Sequence, residues 1–184
     1  NYNFFEEFID EVVKSGIKII YVHARNAILT GISPAQNRSI PPLDYSFVKK
    51  IKLKYPDILF VLNGGINSLE HVKKLLNEFE GVMVGRLIQN NPFLLKKIDS
   101  YIYNLNDLNK INEKLIFDYF NYISPKIKTE SIFRLLSPIL QIFFGVPNSK
   151  IFKSKIHDYM KNHDLKKIEE LFINFIRKNK LLLN

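Results

Sequence analysis

Three short stretches carry residue types and spacings suited to holding a phosphate-bearing ligand. VLNGGINS, Val61 to Ser68, is an apolar run entering a polar turn with two glycines and then a helix-capping serine. GVMVGR, Gly81 to Arg86, repeats the sequence of apolar run and glycine and adds a cation. VHAR, Val22 to Arg25, ends an earlier apolar run with a titratable ring and a guanidinium. In a β/α barrel every strand delivers its carboxyl end to the same face, and a phosphate grip commonly follows strands seven and eight. Gly64, Gly65 and Gly85 would let a ligand approach the backbone, and the next helix start offers free N–H groups to an anion. Asn63 stands at the same strand end, and Arg86 would add a charge-assisted bond to a phosphate. Each turn alone also reads as an ordinary βα connection; their succession in consecutive units is what favours an anion site. His23 would point into the same mouth, the alternative being a packed structural histidine.

Cations outside these turns fall in two places. Arg25 and Arg38 stand in the long polar stretch from Arg25 to Leu43, which has Gly31, three prolines and no core-forming periodicity. Connections of that length in a compact domain are usually functional or disordered. Arg134, Lys150, Lys153 and Lys155 gather around the break GVPNSK. Cations beside a helix start suit nucleic-acid phosphate, and a solvated charged face is the other explanation for such a run.

The elements that must position these residues alternate. Tyr2 to Lys14 is predicted helical, with Phe4, Phe5, Phe8, Ile9, Val12 and Val13 on one face and Gly16 as the stop. Ile17 to Ala24 reads as a buried strand. Asp44 caps a helix through Lys54. Ile58 to Leu62 is the next strand, Ser68 caps a helix to Asn77, and Gly81 to Val84 is the third strand. Asn91-Pro92 opens another helix, with proline at its first position. Alternation with nearly continuous apolar strands predicts a parallel sheet covered by helices. Three strands are fewer than such sheets normally have. Beyond a linker-like stretch, Tyr101 to Lys110, only helices are expected: near 111–123, 129–143, 149–161 and 164–179. They read as a separate helical domain, with a fraying tail.

Composition narrows the function classes. The 184 residues suffice for one ordinary domain, or one and a small second, and 46% are hydrophobic, enough for a core. The net charge of +9 points toward a polyanion such as nucleic acid; a lysine-rich compositional drift explains it equally. With no cysteine, the chain has no disulfide, thiolate metal site or cysteine catalysis of its own. No signal-peptide pattern and no apolar run of about 18 residues occurs, so a soluble cytoplasmic protein without membrane or metal is expected. The chain begins at Asn1 rather than methionine and is expected to be a piece of something longer.

Taken in order, VHARNAILTGISPAQNRSIPPLDY, VLNGGINSLE, EGVMVGR, QNNPFLL and FFGVPNSKIFK resemble the tRNA-dihydrouridine synthases, nearest their A subfamily. The specific part is the HAR loop with its SP, NR and PPLDY elements. The resemblance implies a flavin-binding (β/α)8 TIM barrel followed by an all-helical tRNA-binding domain. The activity it implies is reduction of uridine to dihydrouridine in the tRNA D-loop, with FMN and NADPH. It makes residues 1–100 the C-terminal part of the barrel, strands six to eight, and 101–184 the helical domain. His23, Asn63, Gly64, Gly65, Gly85 and Arg86 would then hold FMN, and Arg25, Arg38, Arg134, Lys150 and Lys153 would face tRNA. Lys150 and Lys153 stand where the subfamily places arginines, keeping the charge but losing the bidentate fork. The family's catalytic cysteine lies in the first half of the barrel, which this chain lacks. Two readings follow: part of a working enzyme completed by an N-terminal half, or a non-catalytic tRNA-binding remnant. A different phosphate-binding barrel enzyme is the third, and the HAR loop argues against it.

Overall fold

The structure, a computed structural model, describes residues 2–105 and 112–179, with the side chain of Phe93 excepted. The end of the expected linker (106–110), the predicted helix start at 111 and most of the tail (180–184) lie outside the described residues. The chain divides into two compact units, Asn1–Leu87 and Ile88–Asn184.

The first unit begins with helix α1 (Tyr2–Lys14), closed by Gly16 at φ 89° as expected for a left-handed stop. Strand β1 (Ile19–His23) follows. The long polar connection then forms one short helix, α2 (Pro34–Asn37), which begins with a reciprocal capping box between Ser33 and Gln36. Four residues are too few to show a helical period, so this turn was not visible in the sequence. Helix α3 (Tyr45–Lys54) starts on the Asp44 cap, β2 (Leu59–Asn63) follows, and α4 (Leu69–Leu75) starts on the Ser68 cap. Strand β3 is Gly81–Met83.

The three strands form one sheet in the order β1-β2-β3, all parallel. One face carries Val22, Phe60 and Leu62, buried with Ile9, Val48 and Ile51 of the helices. The opposite face is built in three levels by the register: Ile19 beside Leu59, then Tyr21 beside Val61 and Gly81, then His23 beside Asn63 and Met83. Its apolar members stay open: Ile19 is 51% exposed, Tyr21 64%, Leu59 47% and Met83 46%. The sheet is therefore covered on one face only, not on both as the strand pattern predicted. Helix α1 shows the same incompleteness. Ile9 is buried and Phe5 stacks on Phe47, but Phe4 and Phe8 remain exposed.

Helix α5 (Arg86–Asn90) spans the division between the units. In the second unit Pro92 opens a helix as expected, its first turn, Pro92–Leu94, of 3-10 form and the rest α6 (Leu95–Tyr103). Then come α7 (Glu113–Ile123), a 3-10 turn at Ser124–Lys128, α8 (Ile132–Leu136), α9 (Ser149–Lys161) and α10 (Leu165–Lys178). The helix predicted over 129–143 is only α8, continued by turns through Gly145. Pro138 has no N–H to continue the ladder and its ring opposes the preceding turn, so the α-helix ends there. The core of this unit is aromatic. Phe143 packs edge-on against Phe152 at 5.1 Å and touches Phe172 and Phe175, while Phe120 meets Phe172 at 5.7 Å. Arg177 of α10 closes the bundle with two bonds to Glu113 of α7, at 3.0 and 2.7 Å.

Candidate functional site

The carboxyl ends of the three strands form a rim. The register sets His23, Asn63 and Met83 side by side, and the Ala24 N–H donates to the Asn63 carbonyl at 2.8 Å. The Asn63 amide reaches the Met83 sulfur at 3.5 Å.

Gly64 and Gly65 hold φ of 118° and 66°, conformations that a side chain makes costly. A Cβ on Gly64 would lie 2.9 Å from Leu43 and 3.1 Å from the His23 ring, and one on Gly65 would overlap Leu43 Cδ1. The two glycines thus form the seat on which Leu43, at the return of the long connection, is packed. Tyr45 fixes the seat from the other side, its hydroxyl donating to the Gly64 carbonyl at 2.6 Å. Gly85 differs: a Cβ there meets nothing within 4 Å. Its backbone is open to whatever lies over the rim.

The long connection is pinned at several points. Ile28 gives its N–H to the Asn37 side chain at 2.8 Å and accepts from the Asn37 amide at 2.6 Å. Arg25 pairs with Leu43 in an isolated antiparallel bridge. Its guanidinium donates to the carbonyls of Ser39 and Pro41, while its Nε is buried without an acceptor. Arg38 is exposed, and its carbonyl accepts from Arg86 at 2.9 Å. The structure therefore brings His23, Asn63, Gly64, Gly65, Gly85 and Arg86 to one rim, with Arg25 and Arg38 in the connection beside it. Sequence reading missed Leu43, Tyr45 and Asn37 as the residues that hold this rim. LDY and QNR were in view, but nothing local marks which side chains reach across 9 to 19 residues.

The rim is electropositive. The His23 imidazole is pushed below its usual range, first by desolvation and then by the Arg25 and Arg86 guanidiniums. It is therefore neutral near pH 7, leaving it one N–H donor and one acceptor nitrogen. Arg86→Ala is expected to move the His23 pKa back upward toward the ordinary value, as followed by the ring proton shifts across a pH titration. An unmoved His23 would mean that Arg86 does not act on it.

In the second unit the remaining candidates lie on two helices, Arg134 on α8 and Lys150 and Lys153 on α9. Arg134 of α8 pairs with Glu130 at 3.1 Å on an exposed surface. Lys153 of α9 donates to the Gln141 side chain at 2.6 Å, and Lys150 is exposed one turn earlier. Asn148, at φ 65°, precedes α9 and makes no side-chain cap bond. Among the described residues no cluster of three or more His, Asp or Glu is arranged to hold a metal, and no helix is long and apolar enough to cross a membrane.

Comparison with known proteins agrees with this architecture. The dihydrouridine synthase (Dus) family profile matches residues 1–178. The chain is 34% identical over 160 residues to a tRNA-dihydrouridine(20/20a) synthase of Vibrio cholerae, covering 86% of this chain and 49% of that protein. It is 32% identical over 152 residues to the enzyme of that name from Synechocystis, covering 82% and 46%. Against the Pseudomonas aeruginosa protein of the same name, identity is 44% over 97 residues, 53% of this chain and 29% of that one. The chain spans about half the length, or less, of these curated relatives. With the family profile running almost end to end over both units, the chain belongs to the dihydrouridine synthase family of oxidoreductases.

Proposed function

We propose that this chain is the carboxyl-terminal part of a flavin-dependent tRNA-dihydrouridine synthase that reduces uridine in the tRNA D-loop in the cytoplasm. In this reading β1, β2 and β3 are strands six, seven and eight of a (β/α)8 barrel. Residues 1–100 complete the barrel and 101–184 dock tRNA. The observation that carries it is the uncovered sheet face. Ile19, Leu59, Tyr21, Val61, Gly81, His23, Asn63 and Met83 share the face opposite the helices, the side that faces inward when such strands close into a barrel. A parallel sheet needs both faces covered, and further β/α units would supply the cover.

The rim fits the phosphate end of FMN. Gly85 leaves open space for an added Cβ, and Arg86 brings a guanidinium. His23, Asn63, Gly64, Gly65, Gly85 and Arg86 would hold the cofactor. When bound, FMN charged by NADPH supplies the hydride that saturates the uracil ring. A neutral His23 would offer the cofactor one N–H donor. Arg25 keeps the connection folded over the rim, and Arg38, Arg134, Lys150 and Lys153 meet tRNA phosphate. The proton donor, a cysteine in the family, must come from the other half, since this chain has none.

A second reading, in keeping with the net charge of +9, is a tRNA-binding remnant without catalysis. Co-expression with a polypeptide supplying the five preceding β/α units and their cysteine loop separates the two. The proposal expects flavin absorbance to co-purify and dihydrouridine to appear in tRNA made without it, neither occurring with the chain alone. Colourless, inactive mixtures that still bind tRNA would leave the remnant reading standing.

A further inference from the structure

Resting on the tRNA reading, we infer that Phe133 and His157 form a stacking platform for an unpaired nucleobase, with Lys150 and Lys153 tracking the adjoining phosphates. Helix α8 buries Ile132 and Leu136, which turns Phe133 outward; it is 55% exposed. Its ring does not fold back onto the core but stacks on His157 of α9, with centroids 6.2 Å apart and planes inclined by 27°. His157 is itself exposed. A stacked ring pair therefore stands at the surface, Phe133 on α8 and His157 on α9, with the outer ring face left for a base.

The cations follow from helical spacing. Helix α9 buries Phe152, Ile156 and Met160. Lys150, Lys153 and His157, separated by three and four residues, fall within one other face of it. At a rise of about 1.5 Å per residue, Lys153 lies roughly 6 Å and Lys150 roughly 10 Å along the axis from His157. That matches a base and the one or two phosphates next to it in an extended strand. Lys153 is held in place by its bond to Gln141, which uses one of three ammonium donors and leaves two for a phosphate. An aromatic surface with flanking cations is how proteins hold single-stranded nucleic acid, and a paired duplex offers no free base face to it.

The test measures binding of the chain to a tRNA transcript, a single-stranded oligoribonucleotide and a fully paired RNA by fluorescence anisotropy, at several salt concentrations. Phe133→Ala should weaken the single-stranded and tRNA complexes roughly 5- to 100-fold. It should leave the slope of log Kd against log salt unchanged and affect the duplex little. Phe133→Trp should restore binding. Lys150→Ala should instead lower the slope by about 0.7 on the single strand, one phosphate's share. Circular dichroism of Phe133→Ala should match the parent, because the ring is outside the core. Equal binding by Phe133→Ala, or equal losses in the Ala and Trp variants, overturns the platform while leaving tRNA binding intact. A parent chain that binds none of the three RNAs overturns the tRNA reading and the platform with it.

Discussion

Gly65→Ala is expected to unfold the rim and abolish flavin binding by the completed barrel, whereas Gly85→Ala should reduce flavin binding alone. At Gly65 two costs combine. The left-handed conformation, φ 66°, and the overlap of a new Cβ with Leu43 together cost about 2–5 kcal/mol. That is a large fraction of the stability of a small domain. Relief cannot stay local. Leu43 is bridged to Arg25, and the neighbouring Asp44 N–H donates to the Ala24 carbonyl at 2.9 Å while its side chain caps α3. Moving Leu43 therefore disturbs the end of β1, the connection and the start of α3 together. At Gly85 no protein atom lies within 4 Å of the added methyl and φ is not in the left-handed range, so stability should hold. Only a ligand resting on that backbone would feel the change. Thermal unfolding of the chain and flavin titration of the completed barrel read the two effects separately. A Gly85→Ala variant that binds flavin as tightly as the parent would remove Gly85 from the site. A Gly65→Ala variant with an unchanged melting temperature would mean that Leu43 is not seated as described.

Which parts of this arrangement were legible in the sequence follows from the range of the interactions involved. Helix α1 (Tyr2–Lys14), α3 behind Asp44 and α9 (Ser149–Lys161) lie where periodicity, the Asp44 cap and the GVPNSK break put them, because those signals sit within one or two turns. The strands were found to within two residues at their ends. The division into α5, a 3-10 turn and α6 was not found, since five- and three-residue segments carry no period. The shortening of α8 has its cause in Pro138, which stands inside the predicted 129–143 helix and has no backbone donor to continue it. At the rim, glycines and cations were visible as types, while their roles depend on contacts between distant segments. Gly64 and Gly65 are seats for Leu43 as well as approaches to the backbone, and Arg25 turns its Nη1 to the carbonyls of Ser39 and Pro41. The open sheet face was least legible. An alternating or continuous apolar strand has the same sequence whether or not a partner covers its second face.

That face gives the other large effect, one that changes sign with context. Tyr21→Asp and Leu59→Asp should make the isolated chain more soluble and less self-associating, yet prevent it from completing the barrel. In the chain alone these side chains are 64% and 47% exposed, so a carboxylate there is solvated and little packing is lost. The variants should keep their circular dichroism spectrum and sediment as a single small species. The parent, with Ile19, Tyr21, Leu59 and Met83 in one apolar patch and sheet edges at β1 and β3, should associate with itself. Inside a barrel the same positions point into a packed interior. Covering the remaining half of each side chain would contribute about 1 kcal/mol apiece, whereas an unpaired carboxylate there would cost several. Co-expression should then yield no flavin-bound complex from either variant. If Tyr21→Asp unfolds the chain by itself, the face is already covered and β1 is not an interior strand awaiting partners. If it leaves assembly intact, the preceding half does not pack on this face. The paired measurement thus tests the barrel reading through the one surface on which the isolated chain and the assembled enzyme must differ.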